Sequence, residues 1–424
     1  VNPAGATAVL LTVIFAVTAC ISLATDGYSG ERSTDDGLPY EITVSYDDNI
    51  ETVTGQGTFE YGTVISLTAV AKPYHVVDEW NEDGALVGNG TSISYTVRGD
   101  AELYVSSAIE KDAGFTFTQT GFVEPFSFTC FDVFSPYSTD TWSATGVCSD
   151  GTEEVLECNY YEDAPGIWTL TVDGNSGRLS DLRSMTITHT SSYPDSTSFS
   201  SSIETSSYAW KNYSPVDDAY NEYAMFLVLD AEKFDLNGFF SSNWNRAYDR
   251  LFRSMELFDY IIIEDPTIET IADNIKKITS GYTSDIDKVQ CALDFVSFTV
   301  DYRYDEENYG TDEYFATAYE ILYIRSGDCE DTSVLFVSIA EYMGYDVYMI
   351  PMIVHMGGGV VIPGLEGNFD GYPGLMFCET TDDPVIYGRD SSWEVGDISH
   401  LEDHIPNATP IHVSVFSNLI KINL

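Results

Sequence analysis

Basic residues are scarce in this chain. Lysine and arginine total 18 against 68 aspartates and glutamates, a formal net charge of −50 over 424 residues. So acidic a surface repels phosphate backbones, which argues against nucleic acid as a partner. It favours solubility and suits a salty or extracellular setting, but says nothing about fold. Histidine is rare too, at six, and His400, His404 and His412 in the C-terminal region show no metal-ligand spacing. Nor is there an EF-hand loop, although calcium is compatible with such acidity. Low hydrophobicity, which disorder would need alongside the charge, is also missing: 44% of residues are hydrophobic and 14% aromatic.

Cysteine is sparse and odd in number. Of the seven, Cys20 lies in an apolar segment, Cys130, Cys148 and Cys158 cluster mid-chain, and Cys291, Cys329 and Cys378 lie towards the C-terminus. An odd count in an exported protein leaves at least one thiol over, and one disulfide is expected among the middle three, its pairing open. Charge is absent from residues 3–25, PAGATAVLLTVIFAVTACISLAT, a run long enough to span a bilayer as a helix. No Lys or Arg precedes Arg32, so the positive-inside rule gives no orientation. Three readings stay open: an uncleaved membrane anchor, a signal peptide whose VTAC at 17–20 resembles a weak lipobox acting on Cys20, and a pilin-like assembly helix. Each places the acidic bulk outside the cell, at the cell surface.

A chain of this length exceeds one hydrophobic core, since cores stop growing near about 250–300 residues. After the hydrophobic segment 1–25, a Gly-, Ser- and Asp-rich linker is expected over 26–39. Residues 40–107 alternate in the manner of strands, as in YEITVSY and TVISLTAVA, with turns such as NEDG between them. Within them Tyr61-Gly62, Leu67-Thr68-Ala69 and Trp80 ahead of Asp83-Gly84 resemble an internalin-type B-repeat. That likeness implies a spacer or adhesive module. The family's Gly-Tyr before the Trp is replaced here by PYHVV. Residues 112–245 are expected to form a β-rich domain of unknown role, and Asn89, Asn212 and Asn407 each begin an Asn-x-Ser/Thr sequon.

The pattern turns helical near 246. Asp265 and Pro266 mark a helix start, followed by Ile268, Ile271, Ile275 and Ile278 at helical spacing. Ser284 caps a second helix, in which Cys291 reads as a core residue. A third helix precedes Ser326, and a fourth follows Cys329 and ends at Gly344. Apolar strands come next, YDVYMIPMIVH, GGVVIP and LMFCETT, so residues 246–400 make an α+β domain with an antiparallel sheet, leaving 401–424 as a tail.

The chemistry centres on RSGDCEDTSVLF at 325–336. Cys329 sits in the first turn of a helix, where free N–H groups and the dipole favour a thiolate. Asp328, Glu330 and Asp331 oppose one, so a cationic partner is needed. His355, at the end of an apolar strand, is the candidate. A third group should fix its tautomer. Glu379, on the next strand, is favoured over Asp370, which reads as a solvated turn residue.

These residues carry a resemblance. Phe295-Val296, Tyr302, Tyr304-Asp305, Gly327-Asp328-Cys329-Glu330-Asp331, Met343 to Val347, His355 and the CETT of 378–381 follow the order of the transglutaminase-like superfamily, in its bacterial and archaeal cysteine-peptidase-like branch, over about 265–397. The resemblance implies a papain-like α+β fold and a Cys329-His355-Glu379 triad acting on protein or peptide amides through an acyl-enzyme. That chemistry needs no cofactor. Glu379 stands where the family most often has Asp. Cys378, beside Glu379, points to the opposite face and reads as core, though a disulfide to Cys329 would disable the site. The expected function is therefore an exported, membrane-tethered peptidase, amidase or transglutaminase, with cell-surface polymers as further substrates. The alternative is an adhesion or structural protein whose transglutaminase-like domain is a non-catalytic binding module.

Overall fold

The computed structural model describes residues 38–174, 182–235, 237–238, 262–312, 314–353, 355–381, 393–401, 405–413 and 415–416. The hydrophobic segment 1–25 with Cys20, most of the linker, and His404 lie outside them. Among the described residues no helix is long and apolar enough to cross a membrane. The chain divides into two compact units, Val1–Ile109 and Glu110–Leu424, and is mostly β.

The described part of the first unit is entirely β. Its strands are β1 (Tyr40–Tyr46), β2 (Ile50–Thr54), β3 (Gly57–Phe59), β4 (Val64–Ala71), β5 (His75–Glu82), β6 (Ala85–Asn89), β7 (Ser92–Thr96) and β8 (Ala101–Ile109). They form sheets of order β3-β1-β8-β5-β6 and β2-β4-β7. Alternation explains the core: Ile65, Leu67 and Ala69 of β4 are buried while their neighbours are not. Trp80 is fully buried and satisfies its indole by donating to Gly90 O at 2.9 Å.

In the second unit β9 (Phe115–Gly121), β10 (Phe126–Asp132), β11 (Thr139–Cys148), β12 (Glu153–Ala164), β13 (Ile167–Asp173), β14 (Leu182–Ser192), β15 (Ser198–Ser214) and β16 (Ala219–Leu227) form one eight-stranded sheet. Its order is β16-β15-β14-β11-β12-β13-β10-β9, all antiparallel. The sheet curls until its ends meet. The Gln119 amide in β9 donates to Ala224 O of β16 at 2.8 Å, and its carbonyl accepts from Phe226 N at 2.9 Å. Phe126 and Phe128 meet Phe226 edge-on across the interior, which Leu170, Val172, Met185 and Ile187 help fill.

The expected mid-chain disulfide is absent. Cys130, Cys148 and Cys158 are all free. Cys130 and Cys158 lie on β10 and β12, with β13 between them. Strands two places apart are about 9–10 Å distant, beyond the roughly 7 Å Cα limit for bridging. Cys148 is at the far end of β11, opposite Leu182. The sequon at Asn212 is closed as well: Asn212 is 1% exposed and donates to Asp294 Oδ2 at 2.8 Å, whereas Asn89 is exposed.

Helices follow in the same unit: α1 (Pro266–Ile278), α2 (Asp285–Thr299), α3 (Ala318–Ile324) and α4 (Cys329–Met343). The first three starts have a local cause. Asp265 accepts from Thr267 N and Ile268 N, Ser284 from Asp287 N, and Thr317 with Glu320 forms a capping box. Gly344 ends α4 at φ 99°. Strands β17 (Val347–Pro351), β18 (Met356–Val361), β19 (Leu375–Cys378) and β20 (Ile411–Val413) form an antiparallel sheet of order β19-β18-β17-β20. Residues 112–245 and the described part of 246–400 share one core: Tyr208, Trp210 and Met225 pack with Phe295, Leu335 and Val360. Trp210 meets Phe295 edge-on, and Tyr208 donates to Leu322 O at 2.6 Å.

Candidate active site

The site forms where the first turn of α4 meets the hairpin of β17 and β18. Gly327 precedes the turn, and a Cβ there would lie 2.6 Å from Asp331 Cβ. Asp328 is the extended cap and Cys329 the first helical residue. Thr332 donates to Asp328 O at 2.8 Å and Ser333 to Cys329 O at 2.7 Å, which fixes the turn.

His355 does not end a strand. β17 stops at Pro351, and Met352 N donates to His355 O at 2.8 Å, so His355 closes the hairpin turn directly before β18. Its Nε2 lies 2.9 Å from Glu379 Oε2 and 3.1 Å from Oε1, while Nδ1 makes no hydrogen bond among the described residues. Glu379 follows the last residue of β19 and is 4% exposed. Burial works to raise its pKa, but the hydrogen bond and charge of His355, with two hydrogen bonds from Thr381, outweigh burial and hold it at about 2.

The structure thus joins His355 to Glu379. Asp370, the competitor, is exposed in its loop. Cys329 is joined differently. Its Sγ donates to Glu330 Oε2 at 3.0 Å, and no hydrogen bond links it to His355 among the described residues. Burial first, then the charges of Glu330 and Asp328, push the thiol well up, while the N–H of Met356 at the sulfur works the other way. Cys378 is a free, fully buried core thiol, and Cys329 is free too.

Three features escape a linear reading. His400 Nε2 lies 3.1 Å from Glu379 Oε2, so one carboxylate serves two imidazoles, and Trp393 stacks on His400 at 4.3 Å and 16°. Thr380 Oγ1 meets Thr332 Oγ1 at 2.9 Å and Ser333 Oγ at 3.1 Å, tying the Glu379 segment to the first turn of α4. Behind Cys329, carboxylate oxygens of Asp305, Asp328 and Asp331 lie within 4.8 Å of one another. Asp331 is fully buried and its acid is pushed well up by burial, then by Asp328. These three, or Asp328 with Cys329 and Glu330, are the residues of the site that could hold a divalent cation. The only sequence signal was the Gly-Asp-Cys-Glu-Asp run itself, because the other contacts span 15 to 48 positions.

The arrangement offers a nucleophile class, a base with one ring nitrogen fixed, and a buried carboxylate. No curated protein matches the chain. A solved structure of a candidate cysteine protease from Cytophaga hutchinsonii aligns over 70% of this chain and 90% of its own, at 12% identity and a TM-score of 0.22. That likeness is too slight to carry an argument. The model of the transglutaminase-like superfamily matches residues 272–354, a stretch that holds Cys329 and stops one residue short of His355. Within a larger, mostly β chain, residues 272–354 are a transglutaminase-like domain.

Proposed function

We propose that this protein is a thiol peptidase, amidase or transglutaminase of the cell surface, with Cys329 as nucleophile, His355 as base and Glu379 as the orienting acid. The observation that carries the reading is the buried, ionised Glu379 on His355 Nε2, which directs Nδ1 to be the proton acceptor. In this mechanism the thiol leaves Glu330 and passes its proton to Nδ1 as sulfur attacks an amide carbonyl carbon. The backbone N–H of Cys329, at the helix start, steadies the oxyanion. Collapse expels the amine, which takes the proton back from His355, and leaves a thioester. Water or a second amine then resolves it, with His355 again relaying the proton. Export and tethering through residues 1–25 accord with their lack of charge and with the acidic surface, and residues 40–107 would serve as a B-repeat-like spacer. Protein or peptide amides, including surface polymers, are the substrate class.

One observation favours the non-catalytic alternative: the thiol rests on Glu330 in surroundings that raise it. Alkylation of Cys329 in the full chain, read by peptide mass spectrometry from pH 4 to 10, separates the two. The enzyme reading expects an inflection below the free-thiol value of about 8.5, shifted or lost in His355→Ala. A thiol that titrates at or above that value whatever stands at 355 would leave a binding module.

A further inference from the structure

A second cluster of titratable groups lies on the curled sheet, away from the thiol. Asp132 ends β10, Asp140 stands near the start of β11, and His189 lies in β14. His189 Nε2 is 3.2 Å from Asp140 Oδ1 and 3.5 Å from Asp132 Oδ2, and the donor atoms all lie within 4.8 Å of one another. The side chains of His189 and Asp132 are 1% and 3% exposed, and that of Asp140, at 12%, is the way in.

Each group is aimed from outside. His189 Nδ1 donates to Ala113 O at 3.1 Å, which turns Nε2 towards the carboxylates. Trp168 Nε1 donates to Asp132 Oδ2 at 3.0 Å. Ser191 and Ser138 donate to Asp140 Oδ1 and Oδ2 at 2.6 and 2.9 Å. Trp142 stacks on the imidazole at 4.2 Å and 18°. Outer hydrogen bonds of this kind, to the far ring nitrogen and to the carboxylates, orient metal ligands. A separate observation points the same way: Asp132 Oδ1 is buried and, among the described residues, has no hydrogen-bond partner.

Charge and spacing decide what fits between them. Two carboxylates with a neutral imidazole carry two negative charges. A proton on Nε2 cancels one of them and a divalent cation both, and a buried site disfavours net charge. Donors about 2.0–2.2 Å from a tetrahedral zinc ion stand about 3.3–3.6 Å apart, close to the 3.2 and 3.5 Å found here. We propose that Asp132, Asp140 and His189 form a binding site for a divalent transition-metal ion of the zinc class. The ion would displace the Nε2 proton and clamp β10, β11 and β14, whose ends the curl brings together.

The test is a Zn2+ titration of the metal-free full chain, followed through the 15N resonances of the His189 ring. Binding to thiols or surface carboxylates does not move these signals. The expected result is loss of the Nε2 proton at one equivalent of Zn2+, with a melting temperature that rises with Zn2+ concentration. Asp140→Asn should weaken the affinity at least tenfold. A Nε2 that keeps its proton at Zn2+ saturation overturns the proposal and leaves a buried imidazolium between two carboxylates. So does an Asp140→Asn chain that binds at this ring as the parent does. The ring readout needs no variant, so it decides even where the substituted chain fails to fold.

Discussion

Glu330 holds the Cys329 thiol in the resting structure, and its charge is among the causes that push the thiol up. Replacing it with Gln removes that charge, so Glu330→Gln should speed alkylation of Cys329 several-fold at pH 7.5. An unchanged rate would show that burial and Asp328, not Glu330, govern the thiol. Glu379→Gln keeps the shape but not the charge that fixes the His355 tautomer. If the enzyme reading holds, it should cost about 10³-fold in turnover. Acid stability follows from the opposed shifts. Glu379 is depressed to about 2 from 4.5, so its contribution is present above about pH 4.5 and is lost as pH falls towards 2. Asp331 and Glu330 are raised, mainly by burial, so the folded state gains protons before the unfolded one and stability grows as pH falls through their raised values. The melting temperature should therefore climb as pH falls through the raised values of Asp331 and Glu330 and drop once pH falls below about 4.5. Asp331→Asn should flatten the upper limb.

Elements place these groups through close packing. Strand β18 begins directly after His355 and carries Gly357, Gly358 and Gly359. A Cβ on Gly358 would lie 2.5 Å from the Phe336 ring of α4, and one on Gly357 2.4 Å from Phe377 of β19. The glycines let the helix and the neighbouring strand approach β18 closely beside His355. Gly358→Ala should cost about 1–3 kcal/mol by overpacking and lower the reactivity of Cys329 as well. A melt and an alkylation assay on the same sample check both. At the start of α1, Asp265 caps two N–H groups and pairs with Lys233 Nζ at 2.7 Å. Asp265→Ala should cost about 1–2 kcal/mol, read by thermal melting.

At the scale of the molecule, the charge of −50 sets the conditions of folding. Like charges repel in the compact state, and salt screens exposed charges beyond about 8–10 Å near physiological strength. Raising NaCl from 20 mM to 500 mM should raise the melting temperature of the full chain by several degrees. A flat response would mean that local ion pairs, such as Lys276 with Asp273, already offset the repulsion. The fused core of the second unit also matters here. Residues 112–245 differ in pattern from 246–400, so the linear reading separates them, yet Trp210 and Phe295 belong to one core.

Local rules made much of this protein legible. Alternation marked β4, and capping residues marked α1 and α2, because these signals act within a few residues of one another. What needed the tertiary structure was every contact between distant elements. The strand order of the β9–β16 sheet kept Cys130 and Cys158 apart, and its curl gathered Asp132, Asp140 and His189. The fold around β19 brought His400 to Glu379, and burial let Glu330 take the thiol that the helix start alone would have offered to His355. Composition and spacing specify which side chains are present, but chain closure and desolvation choose their partners.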